Sequence, residues 1–318
     1  MTLHRGRPWR RVCIAALTSV SLSACGTLPS RLDQPRSTAH KPPSDSPLVR
    51  IAGRSSPDLA LSGFRLMPLG SYSLDARIQL ATRALHSLDV QYYLIQNDRS
   101  GRSLMRSLRD AALRGVRVRL LVDDLYTVGA DLMFRELAAF PNVEVRLFNP
   151  FCCARESIAR KYIASIGDVR RLNHRMHNKL FVADGAVAIM GGRNIADEYF
   201  TRSATDNFVD MDMLIVGAVV DRLASIFDVY WNSPQAYSVE AIVAGTKDRE
   251  VARSAFDRLV DDGEQTMSLD LAPVDILGYG PISEELDAGR LGLVWEVQSP
   301  LPTSQEKSWR LRRKSHVR

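Results

Sequence analysis

Cysteine is scarce in this chain: 318 residues contain four, Cys13, Cys25, Cys152 and Cys153. Their spacing excludes a disulfide-built fold. Cys152 and Cys153 are neighbours, a bridge between neighbours is strained, and the two read as a loop pair with no role in the chemistry. Long apolar runs are missing too. Beyond the N-terminus the longest is Met213–Val220, far short of the roughly 20 residues a membrane-spanning helix needs; it reads as a buried strand running into a helix. A basic body is also absent, despite a net charge of +6. Residues 1–24 hold four arginines and no acid, and residues 301–318 hold six basic residues and one acid, so residues 25–300 carry a net −3. The basic balance that would suggest nucleic acid is therefore a property of the two ends. What remains, 45% hydrophobic and 25% charged, is ordinary for a globular protein of one large or two modest domains.

The N-terminus has the pattern of an export signal. A basic segment ends at Arg11, and an apolar stretch follows from Val12 to Leu22. Leu22-Ser23-Ala24-Cys25-Gly26 resembles the bacterial lipobox, in which a cysteine is lipidated and becomes the new N-terminus. The alternatives are a plain signal peptide cut near Ala24 or an ordinary apolar helix. Arg10-Arg11 stands without the rest of a twin-arginine pattern. The expectation is a signal peptide over 1–24, Cys25 as the lipidation site, and a product anchored in the bacterial cell envelope, facing the periplasm, at the outer membrane. Residues 25–60 are rich in Pro, Ser and charge without hydrophobic period, which predicts a flexible tether.

From about Leu61 the pattern alternates. Apolar spacing predicts helices over 74–88, 103–114, 132–140, 219–231 and 247–261, and strands over 90–95, 116–122, 143–148, 176–182, 187–190 and 210–216. Gly115 stops one helix, and Asp184-Gly185 predicts a tight hairpin. Alternation of this kind indicates an α/β fold.

The chemistry concentrates in one stretch: His177-Asn178-Lys179, then Asp184, then Gly191-Gly192-Arg193-Asn194. Two residues apart on a strand, His177 and Lys179 point to one face. An ammonium that holds phosphate oxygens beside an imidazole that attacks or moves a proton suits phosphoryl chemistry. The glycine pair allows close backbone approach, Asn194 can donate a side-chain N–H to the same phosphate, and Asp184 at the turn fixes the hairpin. The arrangement resembles the HxKx4Dx6GGxN signature of the phospholipase D superfamily at every fixed position. Further likeness, to the first half of bacterial cardiolipin-synthase-like members, lies in Gln91-Tyr92-Tyr93, Leu121-Val122-Asp123-Asp124, Phe148-Asn149-Pro150, Asn194 to Tyr199 and Asp228 to Asn232.

That resemblance implies a phospholipase D-like half-domain over 61–235, with a mixed, mostly parallel sheet flanked by helices. It implies a phosphatidyltransferase or phosphodiesterase acting on phospholipid at a membrane surface without metal or other cofactor. His177 would be the nucleophile forming a phosphohistidine, with Lys179 and Asn194 as phosphate ligands. Asp184 completes the motif, and Asp210 matches the acid that orients the histidine of an opposing motif. In the family two such motifs meet at one site. Here, of six histidines, only His177 is followed two residues later by lysine. Residues 236–300 read as a segment leading to an absent second half, and 301–318 as a basic, disordered tail. The second histidine comes from another copy in a homodimer, or the chain is a catalytically incomplete, truncated half. A single-motif nuclease-like phosphodiesterase is a further alternative, disfavoured by the acidic body.

Weaker signals stay open. Arg170, Arg171, His174 and Arg175 attract anionic headgroups or form a solvated turn. His174 and His177 lack a third metal ligand, and Asp210-x-Asp212 as a metal-binding pair is set aside because of the motif around His177. Asp123-Asp124 reads as turn carboxylates, and Tyr92 and Tyr93 as core or cleft lining.

Overall fold

The computed structural model describes residues 28–29, 34–58, 60–165, 168–261, 271–289 and 291–297. The signal segment, Cys25 and the basic tail lie outside them. Among the described residues nine strands form one sheet: β1 Leu61–Met67, β2 Ser87–Tyr92, β3 Arg117–Asp123, β4 Val143–Phe148, β5 Leu180–Ala183, β6 Val187–Gly191, β7 Asp212–Gly217, β8 Ala236–Ser238 and β9 Val294–Val297. Their spatial order is β8-β4-β3-β2-β5-β6-β7-β1-β9. The longer helices are α1 Pro47–Ser55, α2 Gly70–Arg83, α3 Arg99–Leu113, α4 Asp131–Leu137, α5 Ile158–Ala164, α6 Val219–Trp231, α7 Arg249–Asp261 and α8 Ile282–Ala288.

The sheet is mixed and flanked by helices. β2, β3 and β4 run parallel because α3 and α4 supply their crossovers. Every other neighbouring pair is antiparallel, starting from the β5–β6 hairpin. Parallel pairing is thus confined to the three strands with crossover helices, a smaller share than the resemblance implies. One face of the sheet buries Val90, Val118, Leu120, Phe181 and Val216 under α2, α3, α4, α7 and α8. The other buries Leu121, Leu180, Val182, Ala188 and Ile215 under α6, through Phe227 and Trp231. Each large side chain so buried contributes on the order of 2 kcal/mol.

The hairpin turn forms where expected, with Asp184 and Gly185 both at positive φ, 49° and 61°. The buried Asp184 carboxylate accepts the N–H groups of Leu85, His86 and Ser87 and the hydroxyl of Ser46. Four donors on one carboxylate join the hairpin, the entry to β2 and the N-terminal segment.

The described part of the expected tether is folded against the body. Pro35 accepts from Arg146, Ser37 bonds Arg119, Trp231 and Asn232, and the Ala39 N–H reaches Asp228. Ser46 then caps α1, whose proline stands in the first turn. Proline-rich sequence reads as disorder when its partners lie far along the chain, as these do, from 82 residues for Arg119 to 195 for Asn232.

Candidate active site

β5 runs antiparallel to β2, with Leu180 opposite Gln91. The residues just before β5 therefore sit at the C-terminal ends of β2, β3 and β4, where α/β sheets place their ligands. His177 and Lys179 lie in this approach, in irregular chain ahead of the strand, which begins at Leu180 and not at Met176.

Two buried groups, Asp123 and Asn149, hold the approach. Asp123, at the end of β3, accepts the Met176 N–H (2.8 Å) and the Arg175 guanidinium (3.0 Å). Asn149, just past β4 with φ 50°, donates to the carbonyls of Arg171 (2.7 Å) and His174 (2.8 Å). Its own carbonyl accepts from Arg175. Arg171 also pairs with Asp168. Arg171 and Arg175 are therefore committed to positioning this loop rather than forming a solvated turn. Burial pushes the Asp123 carboxyl up to about 6, against the pull of Arg175.

At the centre, the Lys179 ammonium donates to the His177 carbonyl at 2.8 Å and stands 3.3 and 3.4 Å from the two ring nitrogens. Lys179 is buried while His177 is exposed. Tyr93 supports both: its ring lies 4.7 Å from the imidazole and 5.4 Å beneath the ammonium. Tyr92, by contrast, is core, its hydroxyl taking the Arg77 Nε–H. Shielding on the protein side, then the Lys179 charge, lowers the His177 pKa. Burial likewise lowers that of Lys179, opposed by Asp210 and Asp212. A neutral imidazole beside an ammonium is the state a nucleophile toward phosphorus requires.

The glycine pair is a packing requirement. A Cβ on Gly191 would stand 2.4 Å from the Met211 carbonyl oxygen, and one on Gly192 would stand 1.9 Å from an Asp210 carboxylate oxygen. Asp210 is half-buried against this backbone, and one of its oxygens accepts the Met211 N–H. Two residues on, Asp212 is fully buried and engages Ser73, Arg77 and Arg193. Asn194 accepts the Leu94 N–H and donates one of its two amide N–H groups to the Tyr199 hydroxyl. Asp184 departs from the catalytic grouping. It sits at the far end of β5, and its bonds go to Ser46 and residues 85–87, so it is a structural carboxylate.

His86, paired with Asp45, precedes β2 and so lies at the opposite end of the sheet from His177. Among the described residues no group of three metal-ligating side chains occurs, and no helix is long and apolar enough to cross a membrane. A cleft of about 450 Å³ lined by Asn97, Asp131, Met133, Glu136 and Arg258 includes neither His177 nor Lys179.

Residues 76–231 match the family model described as the PLD-like domain of cardiolipin synthase, and through this segment the chain belongs to the phospholipase D superfamily. Among curated proteins, it is 49% identical over 169 residues to cardiolipin synthase C of Escherichia coli, covering 52% of this chain and 35% of that one. It is 29% identical over 192 residues to a cardiolipin synthase of Geobacillus kaustophilus, covering 59% of this chain and 36% of that one. The chain thus spans about a third of the length of these relatives. Among solved structures, phosphatidylserine synthase of Haemophilus influenzae aligns with a TM-score of 0.45 at 14% identity, covering 67% of this chain and 48% of that one.

Proposed function

We propose that this chain carries one catalytic half of a phospholipase D-type enzyme that cleaves or transfers the phosphodiester of a phospholipid. The observation that carries the reading is the buried Lys179 ammonium against the exposed His177 imidazole, inside the segment that matches cardiolipin synthases. In this reading the neutral His177 attacks phosphorus and the leaving alcohol departs with a proton from a separate acid. Water or a second alcohol then attacks the phosphohistidine and releases His177. Lys179 stabilises the charge on the phosphoryl oxygens, and the remaining Asn194 N–H adds a neutral donor. No step calls for a metal. Rapid quenching during turnover on phosphatidylglycerol, followed by mass spectrometry, should find phosphorus on His177 with or without EDTA. Phosphorus on another residue, or activity abolished by EDTA, would overturn the mechanism.

The anchor belongs to the same reading. Lipidation at Cys25 would hold the domain at its substrate's surface, at the outer membrane facing the periplasm, because two or more acyl chains give stable attachment. Radioactive fatty acid should label the wild-type protein and fail to label Cys25→Ser.

A second reading rests on the count of histidines. No other histidine in the chain is followed two residues later by lysine, and the leaving alcohol needs a second acid. A homodimer in which each copy lends the other its histidine supplies one; a single copy is catalytically incomplete. The acidic balance of residues 25–300 favours a lipid over a nucleic-acid diester.

A further inference from the structure

The segment after β4 contains chemistry that the phosphodiester reading leaves unused. Cys152 and Cys153 form a turn in which the two sulfur atoms stand 2.6 Å apart. Both side chains are partly accessible. The turn is clamped on each side. Before it, the Phe151 N–H donates to the buried Asp124 carboxylate at 2.7 Å. After it, the Arg155 guanidinium reaches Asp124, Asp131, Thr127 and the Phe151 carbonyl. Between the clamps Ala154 takes φ 55°, a left-handed conformation that L-residues other than glycine adopt at a cost. The Arg155 contacts offset that cost and hold the turn in the shape that brings both thiols to one side.

We propose that Cys152 and Cys153 are a redox modification site, a vicinal dithiol that a disulfide oxidant closes reversibly into a ring. One thiolate attacks the oxidant's sulfur–sulfur bond, forming a mixed disulfide and releasing one thiol. The neighbouring thiolate then attacks the cysteine sulfur and releases the second. Two electrons pass to the oxidant, and the two protons lost from the cysteines end on its released thiols. Adjacent Cα atoms are about 3.8 Å apart across a trans peptide, less than the roughly 4.4–6.8 Å that an ordinary disulfide spans. The closed ring is therefore strained and easily reduced, which suits a switchable modification better than a structural cross-link.

Full-length protein, reduced, freed of reductant and incubated with oxidised glutathione, tests the proposal. After alkylation and trypsin, the peptide Leu147–Arg155 is weighed. It should lack two hydrogens, carry neither alkyl group nor glutathione, and regain two alkylatable thiols on brief treatment with dithiothreitol. Closure in the folded protein should outpace closure in urea by on the order of tenfold, because the clamps prealign the sulfurs. Cys153→Ser should instead retain glutathione on Cys152. Two alkylated cysteines, glutathione persisting on the wild-type peptide, or equal rates in urea would each overturn the proposal. The wild-type measurements stand alone if the variant fails to fold.

Discussion

At the level of single residues, the arrangement of His177 and Lys179 makes two linked predictions. Removing an ammonium that stabilises phosphoryl charge costs on the order of 3 kcal/mol of barrier, roughly a hundredfold in rate. Lys179→Ala should therefore lose at least that factor in kcat on phosphatidylglycerol, with a far smaller change in thermal stability. The second prediction concerns pH. Shielding and Lys179 hold the His177 pKa below its ordinary value, so the imidazole stays neutral and nucleophilic further into acid. Activity should fall as pH drops through that lowered pKa. Without the Lys179 charge the imidazole binds its proton more tightly, so NMR titration of His177 in Lys179→Ala should show a higher pKa. An unchanged or lower value would mean that Lys179 does not act on the ring. Both residues are legible in the sequence because their spacing is local. Asp123, Asn149 and Arg175 are not: Arg175 reaches Asp123 across 52 residues and Asn149 across 26, and no local pattern marks such pairs. Asp123 and Asn149 stand in stretches that resemble the family, Leu121 to Asp124 and Phe148 to Pro150, but that likeness does not say what they hold, and a carboxylate pair ending a strand equally describes a turn.

Secondary-structure elements bring the motif's aspartate and glycines into play in different ways. Asp184 secures the β5–β6 hairpin to Ser46 and to residues 85–87, and hydrogen bonds to a buried charged group contribute about 1.5–3 kcal/mol each. Asp184→Ala should lower unfolding stability in urea by about 3 kcal/mol or more, while the folded fraction keeps its turnover at His177. Loss of turnover without loss of stability would return Asp184 to the catalytic group. Gly192→Ala, which collides with the Asp210 side chain, should displace Asp210 and spare the fold. Gly191→Ala, which collides with the main chain of Met211, should be the more destabilising of the two in the same urea titration. Helix α6 and strand β4 stand where periodicity predicts them, Val219–Trp231 and Val143–Phe148. Strand β1 and the edge strand β9 beside it carry no such signal. β1 includes Gly63, against which Trp295 of β9 packs, and the fit appears only when the two are brought together.

For the molecule as a whole, catalytic completeness is a question of stoichiometry. A strictly monomeric preparation, sized by ultracentrifugation, should turn over phosphatidylglycerol poorly. If two copies share a site, a pairing of wild-type and His177→Ala chains lacks one of the two histidines, so adding His177→Ala chains to wild-type protein should lower the activity per wild-type chain; robust turnover by a monomer would contradict the shared-site reading. The folded N-terminal strap bears on where such a site can work. Since Pro35 is already fastened to Arg146 of β4, only ten residue steps separate that fastening from Cys25. Fully stretched, ten residues reach about 35 Å. With Cys25 lipidated, as proposed, that fastening point could rise no further than about 35 Å from the bilayer surface. Lengthening that stretch with glycine and serine should then change turnover on the host vesicle and leave turnover on detergent-dispersed lipid untouched.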